Sequence, residues 1–314
     1  SSIRNALEFR RTRTETEVLR ASVTRSQLAH PEAFADFITS DPSVVRILIY
    51  LEALAPLSDS LLILGETGVG KELIASGVHR SSGRTGPFVA VNCGSLDDSS
   101  LSDTLFGHKR GAFTGADSRR HGLIARAKNG TLFLDEIGEM PLESQARLLR
   151  FLDSGEYLPL GSDVVAFSNA RLICATNRTL SDEVNAGRFR RDLYYRISTH
   201  SVSIPPLRER PADIEPLLRA IVEKNTKRMK VAAPAVSPAL IKALQSNPLP
   251  GNVRELQQHV VRALVNQSWD SELNAPGFGK ELPRGTRATI SFGAELPTPS
   301  EAVSALLQEA MRRH

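Results

Sequence analysis

Short apolar runs set off by polar punctuation dominate the middle of the chain. LLIL at 61–64, FVAVN at 88–92, TLFLDE at 131–136 and RLICATN at 171–177 each read as a buried strand. Between them, stretches such as Leu142 to Leu152 carry apolar residues at helical spacing. Alternating buried strands and helices predict an α/β domain built on a largely parallel sheet. Asp41-Pro42-Ser43 opens an earlier helical pattern through Val44, Val45, Leu48 and Leu51, with proline at an early helical position. After Pro205-Pro206 the strand signal fades. Helical segments at 213–229, 237–246 and 251–267 then predict a second, smaller, all-helical domain.

The two ends read differently. Residues 1–30 are charged and rich in Thr and Ser, with Ile3, Leu7, Val18 and Leu19 loosely spaced, which suggests an exposed helix or a linker. Residues 273–297 are rich in Gly and Pro and read as linker. Thr298-Pro-Ser-Glu301 forms a capping-box pattern before Ala302, Val303, Leu306, Leu307 and Ala310, predicting a final helix. The expected organisation is therefore an N-terminal segment at 1–31, an α/β domain at 32–206, a helical domain at 207–272 and a linker with one helix at 273–314. No internal repeat or low-complexity tract is visible.

Composition narrows the class without naming a function. Of 314 residues, 41% are hydrophobic and 24% charged, which is ordinary for a globular chain with room for more than one domain. A net charge of +4 permits nucleic-acid contact but does not argue for it. The apolar runs are too short for a transmembrane helix, so no membrane partner is expected. No signal-peptide pattern is present, and the first residues are Ser1-Ser2 rather than Met, which points to a fragment. Cys93 and Cys174 sit inside apolar strand-like runs. A disulfide framework is not expected, and a reducing cytoplasm is.

The chemistry concentrates at strand ends. Gly65-Glu66-Thr67-Gly68-Val69-Gly70-Lys71 follows the strand LLIL and precedes the helical stretch ELIASGVH. This is a phosphate loop in its required strand–loop–helix setting. The glycines allow backbone N–H groups to curl around phosphates. The helix N-terminus adds partial positive charge, and Lys71 reaches the β- and γ-phosphates. Glu72 stands where a Ser or Thr hydroxyl usually binds Mg2+. A second strand ends in Asp135-Glu136. Asp135 can hold Mg2+ directly or through water, and Glu136 can orient and polarise the attacking water. Read alone, the same carboxylates would serve as an acidic start to the next helix.

Asn92 and Thr176-Asn177 end two further strands, at the edge where parallel sheets bind ligands. A turn or a helix cap accounts for a lone Asn equally well. Phe189-Arg190-Arg191-Asp192-Leu193-Tyr194-Tyr195-Arg196 is dense in arginine beside aromatics. Arginine stabilises charge on a transferred phosphoryl group and is often supplied by another subunit; a solvated basic helix end has the same composition. Arg254 opens a helix in the helical domain, where it could touch phosphate from above or pair at the surface with Glu255 or a nearby acid. Finally, Gly111-Ala112-Phe113-Thr114-Gly115-Ala116 surrounds one aromatic and one hydroxyl with small residues, midway between the phosphate loop and the carboxylate pair. A bare GxFxG can be a turn that tucks its Phe into its own core.

Taken together, these motifs resemble the central ATPase domain of the bacterial sigma-54-dependent transcriptional activators, the enhancer-binding branch of the AAA+ superfamily. The likeness runs from about Asp41 to Gln267. GETGVGKE, FGHKRGAFTGA, GTLFLDEIGEMP, ATNRTL, FRRDLYYR, PPLRERPADI and PGNVREL occur in the family order. The hexapeptide GAFTGA is the most specific of them, and a Glu after the phosphate-loop lysine is also similar to the family form. The resemblance implies an AAA+ fold with a parallel-sheet αβα core and a helical lid, ATP and Mg2+ as cofactors, and ATP hydrolysis coupled to protein remodelling. It implies phosphate binding by Lys71 and the loop glycines, Mg2+ binding by Asp135 and water activation by Glu136. Asn92 would pair with Glu136 as a switch reporting the γ-phosphate. Thr176 and Asn177 would form a first sensor, and Arg254 a second. Arg190 and Arg196 would be fingers entering a neighbouring subunit's site in a ring, with six subunits expected. Phe113 and Thr114 would tip a loop that contacts sigma-54 RNA polymerase.

An aromatic held in water forgoes roughly 1.5–3 kcal/mol of burial, which makes a partner surface the natural reason for Phe113. The sequence departs from the family at Lys109-Arg110, where an acidic residue usually comes first, and at Thr104, which replaces a usual Glu. Two other readings stay open. One is a related AAA+ remodeller in which Phe113 grips a different protein. The other is a nucleotide-binding scaffold that no longer turns over, against which intact Lys71, Asp135, Glu136 and the two arginines argue. The family's sensory domain and its helix-turn-helix DNA-binding domain have no counterpart in the sequence, so enhancer DNA would be reached only through a domain outside this chain.

Overall fold

The computed structural model describes residues 27–114 and 116–269. Residues 1–26, Gly115, the expected linker at 273–297 and the expected helix after Thr298 lie outside the described residues.

The first helix, α1 (Pro42–Leu54), begins as the sequence predicts. Asp41 caps it by accepting from the N–H groups of Ser43 and Val44. Four apolar runs form β1 (Leu61–Leu64), β2 (Phe88–Asn92), β5 (Thr131–Asp135) and β8 (Arg171–Thr176). A fifth strand, β9 (His200–Ser203), pairs with β1. The sheet order is β2-β5-β8-β1-β9, and every pairing is parallel. Helix α2 (Lys71–Ser81) follows β1, and α3 (Asp98–Phe106) follows β2. The short pairs β3 (Gly107–His108) and β4 (Arg120–His121) precede α4 (Leu123–Arg126). Helix α5 (Leu142–Ser154) follows β5, leading into the hairpin of β6 (Glu156–Tyr157) and β7 (Ala166–Phe167). After β8 come α6 (Leu180–Asn185) and α7 (Arg191–Ile197).

Alternation along the strands divides the core in two. Leu61 and Ile63 of β1, Phe133 of β5 and Ile173 of β8 pack on one face against Val44, Leu48 and Leu51 of α1 and Ile74 and Val78 of α2. Leu62, Leu132, Leu134 and Leu172 pack on the other against Leu101 and Leu105, Leu148 and Phe151, and Leu193 and Ile197. Cys93 and Cys174 are buried and free, as expected. Burial pushes the Cys93 thiol up to about 12. Arg171 is also buried. It opens β8 and donates to the carbonyls of Leu54, Ala55 and Asp59, so it satisfies the C-terminal end of α1.

The helical unit holds α8 (Ile214–Met229), α9 (Pro238–Gln245) and α10 (Asn252–Asn266) around Leu218, Leu240, Leu256, Val260 and Leu264. It is pinned to the segment before α1 by a buried carboxylate. Asp213, fully buried, accepts from the Thr39 hydroxyl at 2.8 Å and from the N–H groups of Ser40 and Asp41 at 2.6 and 3.0 Å. Its ion partner is buried Arg210, at 3.4 Å. That guanidinium lies over the Phe37 ring and donates to the Val69 carbonyl.

Candidate functional site

Because the sheet is parallel, β1, β5 and β8 deliver their last residues to one edge, and the predicted phosphate loop spans it. Gly65, Gly68 and Gly70 all adopt positive φ, a backbone region open to glycine. Gly70 ends the loop and forms the N-cap of α2. Lys71 is 6% exposed, and its ammonium donates to the carbonyls of Gly65 at 2.8 Å and Glu66 at 3.3 Å. A buried cation resting on its own loop's carbonyls is available to an anion placed there.

The carboxylates come to the same point. Glu136 Oε1 lies 3.9 Å from Lys71 Nζ. The Glu136 backbone is left-handed, φ 50, and its N–H donates to Asp135 Oδ1. A non-glycine residue held there aims its side chain away from the course of β5, and such conformations cluster at functional sites. Asn177 joins the two halves. Its side-chain amide donates to the Thr67 hydroxyl at 3.1 Å, and its N–H faces Glu136 Oε2 at 3.4 Å. Thr176 is buried, its hydroxyl accepting from the Arg178 N–H. A cavity of about 410 Å³ runs from Gly65 and Glu66 past Thr176 and Asn177. One ammonium with two hard carboxylates suits a Mg2+-bound polyphosphate. Glu72 is exposed on α2 and offers no hydroxyl, so a metal at this edge would be held by the Asp135 carboxylate.

The helical unit closes over the loop. Asn252 donates to Glu66 Oε2 and the Thr67 carbonyl, and the Val253 N–H donates to the Gly68 carbonyl. A Cβ on Gly68 would lie 2.3 Å from the Gly251 carbonyl oxygen and 3.1 Å from Cβ of Arg254. Arg254 therefore stands above the phosphate loop. Glu255 turns to the Gly251 N–H and to His259, so the surface pairing with Arg254 is not formed. Arg208 binds Glu66 through two hydrogen bonds of 2.9 and 2.7 Å. Together with Asn252, it holds the Glu66 carboxyl below the usual range.

Asn92, Arg190 and Arg196 make their contacts elsewhere. The Asn92–Glu136 contact is not formed: Asn92 Oδ1 accepts from the Gly94 N–H and caps a short turn. That is the cap alternative, although Asn92 stands in register beside Asp135. Arg190 is exposed and bridges to Asp192 at 2.7 Å. Arg196 donates to the Leu152 carbonyl at 2.8 Å and lies 3.3 Å from Asp153. Both arginines engage groups outside this chain's own phosphate loop.

The GAFTGA segment projects from the β3/β4 stem between α3 and α4. The Gly111 N–H donates to the Ala116 carbonyl, and the Ala116 N–H to that of Phe113, closing a tight turn. Gly111 has φ 79 and open space where a Cβ would be. Phe113 is 48% exposed, so its own core does not take it in; its ring meets His108 edge-on at 5.0 Å. His108 lies between Asp103 and the Ser118 carbonyl, and Arg120 also binds Asp103. Ala112 packs on Gly161 in the loop between β6 and β7. The sequence reading passed over Glu66, Arg208 and Asn252 as a group. Their motifs were visible, but nothing along the chain joins residues this far apart.

Residues 37–203 match the Sigma-54 interaction domain family, and residues 208–289 match the AAA+ ATPase lid domain. The chain is similar to the nitric oxide reductase transcription regulator NorR1 of Cupriavidus necator, at 41% identity across 97% of this chain and 62% of the relative. It is also similar to the response regulator protein FleR of Pseudomonas aeruginosa, at 46% identity across 71% of this chain and 47% of the relative. The chain thus spans less than two thirds of either relative. Among solved structures, NtrX from Brucella abortus in complex with ADP aligns with a TM-score of 0.72 at 27% identity, covering 99% of this chain and 65% of that one. NtrX in complex with ATP gives 0.71.

Proposed function

The chain belongs to the sigma-54-dependent AAA+ activator family, and from that premise we propose that it hydrolyses ATP within a ring of its own copies and remodels the sigma-54 RNA polymerase closed complex through its GAFTGA loop. One observation carries the reading. Lys71, Asp135, Glu136 and Asn177 converge on a single loop at the sheet edge, while the half-exposed Phe113 stands on a separate stem with no core of its own.

Bound Mg2+ and ATP supply the transferable phosphoryl group and part of the charge neutralisation. The phosphate loop backbone and Lys71 bind and orient the phosphates. Asp135 holds the metal, and Glu136 positions a water and takes its proton. Asn177 spans Thr67 and Glu136, so it registers the arrangement of both. Arg254 touches phosphate from the lid. Arg190 and Arg196 act on the neighbouring copy's site, where a guanidinium stabilises the transition-state charge. Phe113 and Thr114 present the apolar and hydrogen-bonding contacts to sigma-54. Six copies, a bacterial cytoplasmic location and enhancer binding through a further domain complete the proposal.

Phosphate release that rises per subunit with protein concentration tests the shared sites; turnover that is absent or independent of concentration counts against them. Arg196→Ala is expected to lower turnover by about 10³-fold while ATP binding persists, because the arginine serves another subunit. Equilibrium nucleotide binding alongside phosphate release reads this directly. Thr114→Ala is expected to lose retention of sigma-54 in the presence of a transition-state nucleotide analogue, with turnover within about twofold of the parent, since the substitution removes a hydrogen-bonding contact at the partner surface and leaves the nucleotide site untouched. Equal retention by the variant would refute the loop assignment.

A further inference from the structure

Gln145 is fully buried one turn into α5, on a helix that also buries Leu148 and Phe151. Its amide nitrogen donates to the Met140 carbonyl at 2.7 Å and to the Arg188 carbonyl at 3.0 Å. Its oxygen accepts from the Arg190 N–H at 2.8 Å. Both donor hydrogens and the acceptor are thus spent on backbone groups from two segments that do not pair with each other in a sheet.

Those two segments are the ones the chemistry needs in register. Met140 closes the turn that leaves Glu136: the Glu139 N–H donates to the Glu136 carbonyl, and the Met140 N–H to that of Ile137. Arg188 and Arg190 bracket the entry to α7. A second connection runs parallel on the outside. Glu139 pairs with Arg178, Arg178 lies 3.5 Å from Glu183, and Glu183 binds Arg188 at 2.7 Å. We propose that Gln145 is a positioning residue that fixes the backbone of Arg190 to the turn carrying the hydrolytic carboxylates, so that one copy's nucleotide site sets the finger it offers to the next. The inference rests on the reading of Arg190 as a group acting in trans.

A buried amide with all its groups paired holds distances tightly, because any drift leaves a polar group without a partner in an apolar surrounding. Methionine at this position would fill similar volume and leave the two carbonyls and the Arg190 N–H unmatched. The finger segment would then relax while the phosphate loop stayed intact. Displacement of a positioned group by about 1 Å can cost about 10²-fold in rate.

The test uses the full chain carrying Gln145→Met or Gln145→Glu, each checked for a cooperative melt. Gln145→Met is expected to bind ATP within about twofold of the parent and to turn over roughly 10- to 100-fold more slowly. Gln145→Glu keeps an oxygen for the Arg190 N–H but, when ionised, has no donor for the Met140 and Arg188 carbonyls, so it is expected to slow turnover at least as much as Gln145→Met; it carries the test if the methionine variant does not fold. Mixing decides the direction of action. Glu136→Gln chains cannot activate water but offer unaltered fingers, and they are expected to restore turnover to Gln145→Met subunits, whose own carboxylates are intact. Turnover of both variants within threefold of an active parent, or no restoration on mixing, overturns the inference while leaving the proposed ATPase standing. An inactive parent chain overturns both.

Discussion

Glu136→Gln lowers ATP turnover by about 10²–10⁴-fold, the span expected when a general base is removed, while nucleotide affinity stays within a few-fold of the parent. The amide keeps the shape of the carboxylate but cannot take a proton from water. Glu136 Oε1 lies 3.9 Å from the Lys71 ammonium, so the substitution also removes a negative charge from beside the phosphate site. Less repulsion toward the γ-phosphate is the consequence, and binding is expected to hold or tighten. Single-turnover phosphate release and equilibrium nucleotide binding, measured on one preparation, separate the two quantities. Turnover within tenfold of the parent would remove Glu136 from the base role. Lost binding with lost turnover would assign it to holding the loop together.

The largest effect on stability is expected at Asp213→Ala. Asp213 is fully buried and collects the Thr39 hydroxyl and the N–H groups of Ser40 and Asp41. Its removal strands Arg210, which is 1% exposed and stacked over Phe37. Burial already draws the Arg210 guanidinium down, against the opposing pull of Asp213. Breaking a buried pair from one side costs about 3–5 kcal/mol, because the remaining charge loses its main counterpart and keeps only the weaker pull of Asp41. For a chain of this size that corresponds to a drop of about 10 °C in melting temperature. Lys227→Ala, at the exposed pair with Glu223 on α8, is the control and is expected to leave the melt unchanged. Thermal unfolding followed by circular dichroism reads both. A melt for Asp213→Ala within 2 °C of the parent would show that the N-terminal segment and the helical unit are joined by other means.

The parts of the fold legible along the chain were those whose signal is local. LLIL, FVAVN, TLFLD and RLICAT are continuous apolar runs because parallel strands are covered on both faces, and all four form strands of the five-stranded sheet. The three lid helices begin within one residue of their expected positions, since Pro, Ser and Gly punctuation marks helix starts. The fifth strand, His200-Ser-Val-Ser203, escaped notice. It lies at the sheet edge with alternate residues exposed, so its pattern is short and half polar. The hairpin of β6 and β7 escaped for the same reason: each strand is two residues long.

At the site, the phosphate loop and carboxylates announced themselves because each motif is contiguous. Asn92 ends its strand beside Asp135, as expected, yet its amide serves the Gly94 N–H. Strand order fixes where a side chain starts, and the local competition for hydrogen bonds fixes where it goes. Gln145 stood inside a stretch correctly read as a helix, where a buried amide looks like any exposed polar position. Only the approach of Met140, Arg188 and Arg190 in space distinguishes it.

The grip of the helical unit on the glycine-rich loop has a mechanical corollary. Asn252, Val253 and the Gly251 carbonyl meet the backbone of Thr67 and Gly68 with no room for a side chain between them. The two surfaces therefore behave as meshed teeth. A tilt of the three-helix unit has to be delivered to the loop as torsion.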